Sequence, residues 1–104
     1  MKNYSLKTVV NAADAVIPEQ NERHANHALM RNHRDMLLVG IGWEMAVIKP
    51  SYPELASAIG CSHNCCIKWL HAWREIDWRE RYGWLRLVEG RLAHETNPVD
   101  ASVL

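Results

Sequence analysis

Leu6, Val9, Val10, Ala13 and Ile17 fall at helical spacing, which predicts a short amphipathic helix over Ser5–Ile17. Pro18, followed by Glu19 and Glu22, suits the opening of a second helix. From about Asn21 to Ile48 the pattern stays helical, through Ala28, Leu29, Met36, Leu37, Ile41, Met45 and Ile48. Inside that stretch, MLLVGIGWEMAVI is apolar on nearly every side, as expected of a fully buried helix. Gly40 and Gly42 weaken it and predict close packing or a kink.

KPSY ends the long helix, and Ser51 with Glu54 three residues on forms a predicted capping box. Pro53 is tolerated in a first turn, and Leu55, Ala56 and Ile59 face inward. Gly60 stops this helix because a tight turn needs a residue free to adopt positive φ. Ser62 caps the next helix, whose apolar positions are Cys66, Trp69, Leu70 and Trp73. Asp77 with Glu80 is a second predicted capping box, opening a last helix along Trp78, Tyr82, Leu85, Val88 and Leu92. Strand-like alternation and internal repeats are absent from the pattern. The expected fold is all-α, a compact bundle of about five helices in one domain over 1–96, with a flexible tail over 97–104.

The chain has 104 residues, 48% of them hydrophobic, which suits one globular domain with one core. Five tryptophans and no phenylalanine place several indole rings at a core edge or an interface, where the N–H finds a partner. Net charge is zero, and residues 1–60 and 61–104 each carry six Lys or Arg against six Asp or Glu. That balance argues against nucleic-acid binding by bulk electrostatics. A local basic face survives it, because Lys68, Arg74, Arg79, Arg81, Arg86 and Arg91 outnumber the acids over 61–94. Asn11 and Asp14 interrupt the N-terminal apolar run, so no secretory signal is expected. Met36–Ala46, broken by Glu44, is too short to span a bilayer.

SYPELASAIGCSHNCCIKWL, residues 51–70, holds all three cysteines and two histidines. A metal site would draw on Cys61, His63, Cys65, Cys66 and His71, with His24 and His27 as further donors. Zinc sites use two well-spaced ligand pairs, and no second cysteine pair completes a tetrahedral set here. Cys61 and Cys66 instead occupy apolar positions, where cysteine serves as a small hydrophobe. Two adjacent cysteines and a third also make no disulfide framework, so a reducing cytoplasm is the expected compartment. Cys65, near a helix N-terminus, has no orienting third residue or oxyanion loop, and no enzymatic role is expected. His24, His27 and His33 read as a solvated face. Neither metal nor cofactor is expected.

Ala56, Gly60 four residues later, apolar Cys61 with capping Ser62, Cys66 six after the glycine, and the Trp69–Leu70 pair form one pattern. It resembles the helix-turn-helix of bacterial and phage DNA-binding regulators, over residues 51–73. SYPEL also resembles the opening of the DNA-binding domain of bacterial replication initiators. The basic turn and His-Thr-Thr run of that family are missing, so its function is not carried over. In the regulator resemblance, Cys66 and Trp69 lock the second helix onto the first.

Ser62, His63, Asn64, Ile67, Lys68 and His71 then face the major groove. Asn64 suits adenine, Ile67 a thymine methyl, and Lys68 a phosphate or guanine. Arg74, Arg79 and Arg81 are candidates for backbone phosphates. The resemblance implies a small transcription regulator that binds double-stranded DNA. A DNA-packaging or replication accessory protein of phage or plasmid type would share the fold. The alternative of another class is a protein-interaction module without DNA binding, favoured by the tryptophans and the neutral charge. Trp78, Tyr82, Trp84, Leu85, Val88 and Leu92 are candidates for a homodimer seam or for a protein partner on the C-terminal helix. The long N-terminal helix is the rival element for dimerisation.

Overall fold

The computed structural model describes residues 4–24 and 30–96; side chains are described for 4–18 and 34–94. Five α-helices are present among them: α1 (Leu6–His24), α2 (Met30–Met45), α3 (Tyr52–Ile59), α4 (His63–Glu75) and α5 (Trp78–Thr96). No strand occurs among the described residues. The fold is all-α, as the apolar periodicity predicts. The expected flexible tail lies outside the described residues, as do His27 and the side chains of His24 and His33.

Two boundaries differ from expectation. Pro18 does not open a second helix but lies inside α1, which runs on to His24. Pro18 and Asp14 are both exposed, so the proline, which cannot donate to the Asp14 carbonyl, lies on the solvent side of the helix. The long helix ends at Met45 rather than Ile48. Val47 leaves the helical path to donate its N–H to the Tyr4 carbonyl at 3.0 Å, and Ile48 is 78% exposed.

α2 is the central element and touches each of the other four helices. Residues 37–42 are all buried, as a helix covered on every side requires. Leu37, Leu38, Val39 and Ile41 meet Val9, Ala13, Val16 and Ile17 of α1, Leu55 of α3, and Leu70 and Trp73 of α4 in one core. Outside the core, the Arg34 guanidinium grips Asp14 through two hydrogen bonds of 2.9 and 3.2 Å, joining α2 to α1.

The expected close packing at both glycines of α2 is present. A Cβ on Gly40 would stand 2.0 Å from Cδ2 of Trp73, and one on Gly42 would stand 3.1 Å from Leu55 and Leu6. Trp73, fully buried, takes the space a side chain on Gly40 would fill.

α5 packs against α1 and, more lightly, α2. Its apolar stripe divides along its length. Val88 and Leu92 are fully buried in the chain's own core, which removes them as seam candidates. Trp84 and Leu85 are half-buried against that core, while Trp78 and Tyr82 are 63% and 53% exposed. Among the described residues, no helix is long and apolar enough to cross a membrane.

The glycines give a sharp stability test. Gly40→Ala forces the Trp73 ring out of place and is expected to cost at least about 3 kcal/mol, the upper end for overpacking. A Cβ on Gly83 or Gly90 of α5 meets nothing within 4 Å. Gly83→Ala and Gly90→Ala should each gain about 0.5–1 kcal/mol by stiffening the helix. Urea denaturation of the three variants measures both signs.

Candidate nucleic-acid interface

α3 opens on the capping box expected at Ser51. The Ser51 hydroxyl accepts the Glu54 N–H at 3.3 Å, and the Glu54 carboxylate accepts the Ser51 N–H at 2.9 Å. The Ser51 N–H and, second, the Ser51 hydroxyl, which donates to the same carboxylate at 2.9 Å, favour the charged form and hold the Glu54 carboxyl below its ordinary pKa. α3 closes on Gly60 at φ 89°, with the N–H groups of Gly60 and Cys61 both donating to the Ala56 carbonyl. In that left-handed conformation the chain reverses within three residues, Gly60 to Ser62. The Ser62 hydroxyl then accepts the Cys65 N–H at 3.1 Å and starts α4.

The buried face of α4 consists of Cys66, Leu70 and Trp73. Trp69, expected to lock α4 onto α3, is half-buried and packed against the core, while Trp73, one turn later, is fully buried against Gly40 of α2. Its indole N–H donates to the Glu44 carboxylate at 2.6 Å, so the ring is both packed and hydrogen-bonded.

The opposite face is solvent-exposed. Asn64, Lys68 and His71 lie along it, with exposed Ser62 at its start and Glu75 at its far end. Lys68 reaches over Trp69 with its ammonium 4.8 Å from the ring centroid. His63, Ile67 and Arg74 share an adjacent flank of α4, Ile67 half-buried and the other two exposed.

Arg79 and Arg81 stand apart from that face, in the first turn of α5. Arg79 pairs with Asp77 at 3.7 Å and lies over Trp78. Arg81, half-buried, donates to the Arg74 carbonyl at 3.5 Å and so closes the end of α4. Asp77 caps α5 through the Arg79 N–H at 2.8 Å, not through Glu80, whose N–H already donates to the Asp77 carbonyl.

Sequence reasoning missed a cluster beside α4. Trp43, from the last turn of α2, stacks on Tyr52 with ring centroids 5.5 Å apart. The Lys49 ammonium lies 4.4 Å from the centre of Trp43, and the Arg74 guanidinium lies 5.6 Å from it. Tyr52 in turn meets the His63 ring at 6.1 Å. No local spacing signals this cluster, because its members come from α2, the following loop, α3 and both ends of α4.

The three thiols sit in different surroundings: Cys65 exposed, Cys61 half-buried and Cys66 buried. Among the described residues, no three His, Cys, Asp or Glu side chains converge to hold a metal ion. Burial, assisted by the charge that Cys61 would carry, pushes the Cys66 thiol up to about 11 from 9.0. The unfolded chain therefore loses this proton first as pH rises.

The stabilising contribution of Cys66 is complete below about pH 9 and is lost as pH climbs through about 11. Cys66→Ala is expected to lower stability at neutral pH by about 1 kcal/mol and to flatten the decline between those pH values. Denaturation curves across the alkaline range check both effects.

Compared with family models, with curated proteins and with solved structures, the chain matches none.

Proposed function

We propose that this chain binds double-stranded DNA through α4, as the reading helix of a helix-turn-helix, and acts as a small transcription regulator. The observation that carries the reading is the division of α4 into two faces. One is anchored by Cys66, Leu70 and Trp73; the other presents Asn64, Lys68 and His71 to solvent around a capped N-terminus. An α-helix about 10–12 Å across fits the major groove, about 12 Å wide, where amide and ammonium groups meet base edges. Ser62 and the first N–H groups of α4 suit a phosphate oxygen.

A homodimer is part of the proposal. One recognition helix gives a short site and modest affinity, and a second copy doubles both the site and the basic surface. The exposed Trp78 and Tyr82, with half-buried Leu85 beside them and half-buried Trp84 on the other side of the buried stripe, are the residues we assign to the seam. The same exposed rings favour the second reading, a protein-interaction module that binds a partner through α5 and no DNA.

Selection from a pool of random duplexes, followed by sequencing, separates the readings. Enrichment of a two-fold-symmetric site is expected. On that site, Asn64→Ala with Lys68→Ala should weaken binding at least about tenfold, since a good base contact is worth about 1–3 kcal/mol. Enrichment of a single half-site would remove the dimer, and no retention at low salt would leave the interaction module.

A further inference from the structure

Lys49 and Arg74 lie far apart in the sequence, yet both are held on one ring, Trp43, at 4.4 and 5.6 Å from its centre. The Lys49 ammonium also donates to the Trp43 carbonyl at 3.4 Å. Neither cation pairs with a carboxylate among the described residues, whereas Arg34 and Arg79 each do. Two neighbouring acids are engaged: Glu44 accepts the Trp73 N–H, and Glu54 accepts from Ser51. The third, Glu75, lies on the outward face of α4 beyond Arg74.

Trp43 stacks on Tyr52, and Tyr52 meets His63, so a continuous row of cationic and aromatic groups runs beside α4. Its ends, His63 and Arg74, are eleven residues apart on the helix, about 16 Å. Phosphates on one DNA strand advance by about 3.4 Å along the axis, so a row of this length spans more than one of them.

We propose that this row is a phosphate-contact track, with Lys49 and Arg74 binding the backbone of the strand that borders the groove occupied by α4. The inference rests on the DNA-binding role of α4 and adds a sequence-independent contact to it. It also accounts for how a chain of zero net charge holds a polyanion: the cations are gathered on one flank and pre-oriented by a shared ring. Trp43 and Tyr52 are positioning residues here, while the contacts belong to Lys49 and Arg74.

The test is a salt series of fluorescence-anisotropy titrations on the full chain, with the selected site and a mixed-sequence duplex as probes. Each neutralised phosphate contributes about 0.9 to the log–log salt slope. Lys49→Gln with Arg74→Gln should flatten the slope by about 1.8 and weaken both probes by the same factor. The charge-preserving pair Lys49→Arg with Arg74→Lys should keep the wild-type slope, which separates charge from any effect on folding. An unchanged slope in the Gln pair, with wild-type binding intact, overturns the track and leaves α4 as reader. A loss confined to the selected site also overturns it, because the two residues would then be reading bases. Failure of the wild-type chain to bind either duplex overturns the track together with the role of α4.

Discussion

Trp73 enters the core from α4 and lies where a side chain on Gly40 of α2 would otherwise be, its N–H closed on Glu44 at 2.6 Å. This contact fixes the distance and rotation of α4 against the central helix. A buried Trp is worth about 3–5 kcal/mol relative to Ala, a large part of the stability of a domain this size. Every exposed group on α4 takes its direction from that anchor. Were α2 to carry a side chain at position 40, α4 would have to rise or turn, and the outward face would change with it.

The same anchor shapes the electrostatics. Glu44 lies one residue beyond Trp43, and its carboxylate accepts the Trp73 N–H rather than pairing with Lys49 or Arg74. Glu54 is likewise held by Ser51 at the start of α3. Neutral total charge thus coexists with two cations gathered on one ring, because Glu44 and Glu54 are hydrogen-bonded to the scaffold rather than ion-paired with Lys49 or Arg74. α5 behaves differently at its two ends: Val88 and Leu92 complete the core, whereas Trp78 and Tyr82 remain exposed.

Much of the architecture was legible in local sequence signals. Ser51 with Glu54, the positive-φ glycine at 60 and the Ser62 cap each depend on residues within one turn of one another, and each appears as expected. The apolar run around Leu37–Ile41 declared a helix buried on all sides, and its glycines marked close contacts. Pro18 misled, since the local cost of a proline inside a helix is outweighed where Val16 and Ile17, just before it, are buried in the core. The anchoring of α4 on α2 by Trp73 was not singled out, because Trp73 lies at the same apolar spacing as Trp69 and only the glycine opposite marks it. The Trp43 cluster was not legible, as it is assembled from tertiary contacts among residues up to 31 positions apart.

The most direct test of α4 as a reading helix is to follow backbone amide chemical shifts while duplex DNA is added to the protein. Shifts concentrated at Ser62 to His71, weaker ones at Lys49 and Arg74, and quiet amides at Val88 and Leu92 are expected. Shifts confined to Trp78–Leu87, or none at any residue, would contradict it.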